Sequence, residues 1–348
     1  MKAIGVQHYR PTTDPHCFEL FEVDIPEPQG RELLVRVRAV GVNPVDIKLR
    51  SSLTRPQEIP RILGWDAAGI VEAIGPTTTL FQAGDEVYYA GSITRPGCNA
   101  EYQLVDERIV GHKPRSLTFE QAAALPLTSI TAWEALFEQL QLEPSQLQEQ
   151  NSEQLAKNRD RWLLLINGAG GVGSIAIQLA KQVAGIKVIA TASRPETIAW
   201  CKRQGADEVL NHRQPLAEQL RKVGLPLVDA IFCCHSTDDH WQNLADCIKP
   251  QGKICAIVGN QQPLDLNLLK NKSATFAWEF MFTKAMYETE DMVSQHLLLN
   301  RVGEWVDRNA LRTTLAENMG PLNPSNLARA HAKLEAGDTI GKIVLSGM

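Results

Sequence analysis

The spacing of hydrophobic and polar positions changes character part-way along the chain. Up to about residue 125 the apolar positions fall in short runs rich in Val, Ile and Tyr, bounded by Gly, Pro and Asp. Leu33–Val42, Gly69–Ile74, Asp85–Ala90 and Glu101–Val105 read as strands of a mostly β domain. Phe119–Leu125 reads as the start of a helix with Thr118 as its N-cap. The polar stretch Gln141–Arg161 predicts an exposed helix end and loop without function. From Trp162 the rhythm becomes longer. Trp162–Asn167 is nearly continuous apolar sequence, as in a parallel strand covered on both faces. A helix over Ser174–Ala184 follows, burying Ile175, Ile177, Leu179, Ala180 and Val183. Next come strand Lys187–Ala192, helix Glu196–Gln204, strands Glu208–Leu210 and Val228–Cys234, a helix near Trp241–Ile248 and strand Lys253–Val258. This alternation predicts a doubly wound α/β unit. In the tail, Ala274–Phe282 is strand-like, Met292–Asp307 and Asn326–Ala336 are helical, and Gly341–Leu345 is a last strand returning to the first domain.

Length and composition bound the picture. A chain of 348 residues exceeds one compact core and fits two domains. A hydrophobic fraction of 44% and a charged fraction of 22% are those of an ordinary globular protein. The net charge of −5, with no basic block, argues against a nucleic-acid or anionic-membrane partner. No apolar run approaches the roughly 20 residues of a membrane span, and Met1-Lys-Ala-Ile-Gly5 leads into strand-like sequence without a signal-peptide core. The seven cysteines (17, 98, 201, 233, 234, 247 and 255) are scattered and form no CxxC pair. That pattern predicts a reducing, cytoplasmic setting rather than a disulfide framework.

The sharpest chemical signal is Gly168-Ala-Gly-Gly-Val-Gly173, which follows a buried strand and opens a helix. In that context Gly168 permits the tight turn, Gly170 lets the backbone approach a diphosphate, and Gly173 lets helix and strand pack closely. Gly171 and Val172 complete the loop, whose amides sit at the positive end of the helix dipole. About 20 residues on, where an NAD site carries Asp or Glu, the sequence reads Thr191-Ala-Ser193-Arg194. A hydroxyl and a guanidinium suit a 2′-phosphate, so NADP(H) is the expected cofactor.

The chain resembles the medium-chain dehydrogenase/reductases, specifically their quinone oxidoreductase (zeta-crystallin) branch and the proteins labelled zinc-type alcohol dehydrogenase-like. The likeness rests on Gly41-Val-Asn-Pro-Val-Asp46, Leu63-Gly-Trp-Asp-Ala-Ala-Gly69, Gly84-Asp-Glu-Val87, Ala122-Ala-Ala-Leu-Pro126, Thr131-Ala-Trp133, the glycine loop and Gly341-Lys-Ile-Val-Leu345. It implies an α/β protein: a GroES-like, mostly β catalytic domain (1–126 and 287–348) around a Rossmann doubly wound parallel-sheet domain (127–286). It also implies that His212 lies near the adenosine end of the cofactor, Gly259 near the nicotinamide ribose and Thr128 near the nicotinamide. Relatives pair through an edge strand matching Ala274–Phe282, which implies a homodimer.

The three catalytic-zinc positions of that family are Asn43, Trp65 and about Leu127 here. The structural zinc loop is absent too, since only Cys98 falls between Val87 and Glu101. No resident metal is therefore expected. Without a Lewis acid, a quinone or conjugated enone is the better acceptor, because its developing negative charge is spread over the conjugated system. Where relatives carry a Tyr donor this chain has Lys48, which with Asn43 is the candidate catalytic pair. The expectation is an NADPH-dependent, zinc-independent quinone or enone reductase. The alternatives are a zinc-dependent alcohol dehydrogenase and a non-catalytic, crystallin-like NADPH-binding protein.

Overall fold

The computed structural model describes residues 1–144 and 158–348. Most of the polar stretch read between Gln141 and Arg161 lies outside the described residues. Two compact units are present, Met1–Ile130 with Met281–Met348, and Thr131–Phe280. The sequence reading drew these borders at 126/127 and 286/287; the first observed border falls within the helix Pro126–Trp133.

In chain order, the first unit begins with β1 (Lys2–Val6), β2 (Glu19–Glu22), β3 (Glu32–Val42), β4 (Arg61–Ile62), β5 (Ala67–Ile74), β6 (Glu86–Tyr89), β7 (Tyr102–Asp106) and β8 (Val110–His112). The second unit carries β9 (Trp162–Ile166), β10 (Lys187–Thr191), β11 (Glu208–Leu210), β12 (Val228–Cys233), β13 (Ile248–Ala256) and β14 (Thr275–Trp278). The chain re-enters the first unit with β15 (Leu315–Pro321) and β16 (Lys342–Ser346).

The first unit is organised by β3, whose long apolar run serves three neighbours. One edge pairs antiparallel with β5. The other is shared, Glu32–Arg36 pairing with β7 and Ala39–Val42 with β16, so the C-terminal strand completes the N-terminal domain. Arg36 and Arg38 alternate outward while Val35, Val37 and Ala39 are buried, the period expected of a half-covered strand. The helix Pro44–Ser52 follows β3; Pro44 fits its first turn, and Asp46 accepts from the Asn43 amide at 2.6 Å. This helix and β1, β2, β4 and β15 are additions to the sequence reading. Strands such as Glu-Leu-Phe-Glu (β2) carry too few apolar residues to announce themselves.

In the second unit all pairings are parallel, in the order β11-β10-β9-β12-β13-β14. β9 runs through the middle with Leu163, Leu164, Leu165 and Ile166 fully buried. Each such side chain contributes roughly 1.5–3 kcal/mol on removal from water. Helix Gly171–Leu179 follows β9, and helix Pro195–Gln204 follows β10 and stops at Gly205 (φ 111°). The helices Leu216–Lys222 and Thr237–Cys247 follow β11 and β12. All seven cysteines are free, and no helix among the described residues is long and apolar enough to cross a membrane.

One core residue of the first unit sets a pH dependence. His331, on the helix Pro324–Glu335, is fully buried against Phe18 with ring centroids 4.8 Å apart, and neither ring nitrogen has a partner among the described residues. Burial, reinforced by the nearby Arg50 charge, pushes its pKa down from 6.5 to about 3. Below pH 6.5 the unfolded chain therefore takes up a proton that the folded chain refuses. Stability falls by about 1.4 kcal/mol per pH unit until about pH 3. His331→Leu should leave urea stability near pH 7 within about 1 kcal/mol of wild type and flatten this acid slope; parallel pH profiles would remove His331 as the cause.

Candidate functional site

The glycine loop of the second unit lies where the parallel sheet meets its first helix. Asn167 turns the chain with a left-handed φ of 65°, and its amide donates to Thr191 Oγ1 at 2.9 Å. The Gly168 amide bonds Thr191 O at 3.0 Å, so the end of β10 pins the start of the loop. A Cβ on Gly173 would strike Asn167 O and lie 2.8 Å from Gly168 Cα. A Cβ on Gly170 would meet nothing nearer than Asn167 Nδ2 at 3.0 Å. Gly173 is thus required by packing, whereas Gly170 leaves the approach to the helix clear. Trp200 Nε1 donates to Ser174 Oγ, which donates to Gly170 O, both at 2.7 Å, fixing the loop from behind. The amides of Gly171, Val172 and Gly173 open a nine-residue helix with no side-chain cap, an anion cradle of the type a diphosphate fills.

Thr191 joins two of the predicted cofactor residues, Gly168 and His212, whose Nδ1 lies 3.3 Å from Thr191 Oγ1. Ser193 and Arg194 stand two and three residues after it. Arg194 Nε pairs with Glu196 at 2.9 Å, a carboxylate two residues beyond the segment read for cofactor choice. His240, not singled out in the sequence, packs with His212 at a ring-centroid separation of 6.4 Å. Gly259 is exposed beyond β13, with open space around it.

The first unit contains a separate buried polar cluster. Lys342 Nζ donates to Val42 O at 3.0 Å, to Asp66 Oδ2 at 2.8 Å and to Asn43 Oδ1. Asn43 Nδ2 donates to Asp66 Oδ2 at 3.0 Å, and the Leu127 amide donates to Asp66 Oδ1 at 2.9 Å. Asn43, Asp66 and Lys342 are all buried. Burial raises the Asp66 carboxyl and the Lys342 ammonium opposes it, while burial raises Asp46 to about 7. Trp65 is fully buried, its indole N–H on Ser92 O at 2.9 Å. Thr128 is buried with its hydroxyl on Leu125 O at 3.1 Å, and Lys48 is exposed on the helix Pro44–Ser52.

Comparison with known proteins places this arrangement. Residues 29–115 match the family profile described as an alcohol dehydrogenase GroES-like domain, and residues 204–345 that of a zinc-binding dehydrogenase. A Staphylococcus epidermidis "Zinc-type alcohol dehydrogenase-like protein" is 44% identical over 99% of both chains. The chain belongs to the medium-chain dehydrogenase/reductase superfamily. Other members similar to it are a Pseudomonas aeruginosa quinone oxidoreductase (29% identical, over 95% of this chain and 96% of that one) and an Arabidopsis thaliana NADPH-dependent alkenal/one oxidoreductase of the chloroplast (28%, over 92% and 73%). Among solved structures, a Rhizobium etli CFN 42 protein assigned by name to the zinc-dependent alcohol dehydrogenases superposes with a TM-score of 0.91 at 46% identity, over 100% and 98% of the two chains. Escherichia coli quinone oxidoreductase in complex with NADPH gives 0.81 at 25%, over 99% and 100%.

For this dehydrogenase/reductase, the dinucleotide cradle fits its group: the approach at Gly170 is open and the loop amides are available. A catalytic zinc does not fit. The Asn43 amide is spent on Asp66 and Lys342, Trp65 donates to a carbonyl, Leu127 has no ligating side chain, and a lysine ammonium lies within bonding distance of Asn43 and Asp66. Among the described residues no group of three His, Cys, Asp or Glu side chains could hold a metal ion. Asp66 and Lys342 are the residues that sequence reading passed over. Their signal is a charge inside an otherwise apolar run, in Trp65-Asp-Ala-Ala and Gly341-Lys-Ile-Val.

Two outcomes follow from these geometries. Lys342→Met leaves Asp66 buried without its cation and should cost about 3–5 kcal/mol in denaturant unfolding, most of it recovered in the Asp66→Asn/Lys342→Met double variant. A loss below about 1 kcal/mol would show that the ion pair contributes little net stability. In the glycine loop, Gly173→Ala should destabilise the second unit by about 1–3 kcal/mol. Gly170→Ala should fold normally but bind NADPH at least about tenfold more weakly in titration calorimetry, about 1.4 kcal/mol; equal affinity would remove Gly170 from the diphosphate site.

Proposed function

We propose that this protein is an NADPH-dependent, zinc-independent reductase of quinones or α,β-unsaturated carbonyls. The observation that carries the reading is the buried Lys342 ammonium on Asp66 and on Asn43, one of the three positions at which the family resemblance expects a zinc ligand. With no Lewis acid to stabilise an alkoxide, a conjugated acceptor that delocalises its own developing charge is the suitable substrate. NADPH, when bound, would supply a hydride, that is two electrons and one proton, and a second proton would complete the reduced product. Gly168, Gly170, Gly171, Val172 and Gly173 hold the diphosphate, Ser193 and Arg194 select the 2′-phosphate, His212 lies toward the adenosine, Gly259 toward the nicotinamide ribose and Thr128 toward the nicotinamide.

Of the candidate catalytic pair, Asn43 has both sides of its amide engaged, so its part is positioning through the buried cluster. Lys48, exposed on its helix, is the proposed donor to the acceptor oxygen. The reading includes a homodimer formed along β14, an edge strand of the parallel sheet among the described residues, where Trp278 and the adjacent Phe280 are exposed. The names of the quinone and alkenal/one oxidoreductases similar to this chain support the substrate class. The "zinc-type" name carried by other relatives favours a second reading, a zinc-dependent alcohol dehydrogenase.

The two readings separate in one assay. The purified protein should oxidise NADPH at least about tenfold more efficiently than NADH with 9,10-phenanthrenequinone, 1,4-benzoquinone or short enals. Dialysis against a chelator should leave the rate unchanged, with far less than one zinc per chain by metal analysis. Loss of activity on chelation and its return with zinc would establish the second reading.

A further inference from the structure

The second unit gathers three histidines in segments that follow two strands of the parallel sheet, β11 and β12, which β10 and β9 separate. His212 follows β11, His235 follows β12, and His240 lies in the helix Thr237–Cys247. His212 and His240 face each other at 6.4 Å and 76°. His212 Nδ1 contacts the Thr191 hydroxyl that also receives the Asn167 amide, so this pair is joined to the start of the glycine loop and to the strand end that leads, two and three residues on, to Ser193 and Arg194. His240 is only 7% exposed, and its Nδ1 has no hydrogen-bond partner among the described residues. A buried ring nitrogen left unpaired costs about 1–3 kcal/mol, and a ligand that used it would remove that cost.

We propose that His212 and His240, with exposed His235 beside them, form an imidazole pocket that receives the cofactor's 2′-phosphate alongside Ser193 and Arg194, making the preference for NADPH over NADH increase as pH falls. This deepens the proposed function and rests on its NADPH reading.

The charges around the pair fit an anion. His212 is faced by Arg213 from its own loop and by His235 and His240 from the β12 side. His240 is faced by His212, His235 and Asp239. Burial lowers both imidazoles below their ordinary value, and the neighbouring positive charges push the same way. Burial thus favours the neutral form of both imidazoles. A phosphate dianion against them reverses that balance, favouring imidazolium and drawing protons onto the pair as it binds. NADH lacks this group, so its affinity stays flat over the same range.

The test measures Kd for NADPH and NADH by titration calorimetry on the full chain, from about pH 6 to about pH 8.5. For wild type, the ratio Kd(NADH)/Kd(NADPH) should exceed that of His212→Gln/His240→Gln by at least about fivefold near pH 6, and the two should converge near pH 8.5. The phosphate's own ionisation near 6 is common to both proteins and cancels in the comparison. Parallel profiles would overturn the pocket. A wild type that does not discriminate NADPH from NADH at any pH would overturn it through the underlying cofactor reading, a distinguishable failure. Should the double variant not fold, wild type alone decides: near pH 7.5, in two buffers of different ionisation enthalpy, NADPH binding should take up more protons than NADH binding, and equal uptake would overturn the proposal.

Discussion

The first unit depends on one buried ammonium. Lys342 comes from the last strand, yet its three donors are used on Val42, Asn43 and Asp66, at the end of β3 and just before β5. Burying Asp66 alone would be prohibitive; with Lys342 and the Leu127 amide its carboxylate is compensated from both oxygens. The same contact orients the Asn43 amide. One lysine therefore ties the last strand to the end of β3 and to the start of β5.

The second unit solves a different problem. Its cradle offers backbone amides rather than side chains, so its geometry is set by what keeps the loop in place: Thr191 from the neighbouring strand, and Trp200 and Ser174 from behind. Anion affinity at such a loop comes from dipoles already aligned before the ligand arrives. At the end of β10 the same threonine contacts His212, and Arg194 is paired with Glu196.

Much of this was legible in the sequence because the signals were local. The apolar run Trp162–Ile166, the glycine spacing after it and the Gly205 that stops the helix Pro195–Gln204 are contained in a few residues, and the parallel unit could be read from such signals. The substitutions at Asn43, Trp65 and Leu127 were equally plain as single letters. What those letters do was not legible. Lys342 and Asp66 are 276 positions apart, and no periodicity links them. Likewise His240 sits in a helix whose local pattern reads as ordinary amphipathic packing; only the tertiary fold brings it beside His212, 28 positions earlier. Weak strands such as β2 and β15 were missed for a related reason, since their pairing partners rather than their own residues make them strands.

The pairing of β16 with β3 also has a consequence for biosynthesis. On a ribosome the chain emerges from its N-terminus, so Asp66 is exposed long before Lys342 exists. The parallel sheet, whose strands all lie between Trp162 and Trp278, has its full complement of residues while the first unit still lacks its closing strand. Until β16 has emerged, the nascent domain carries an uncompensated carboxylate and an open edge on β3 along Ala39–Val42, a template for wrong partners. Closure of the first unit therefore waits for a segment made after the whole parallel sheet.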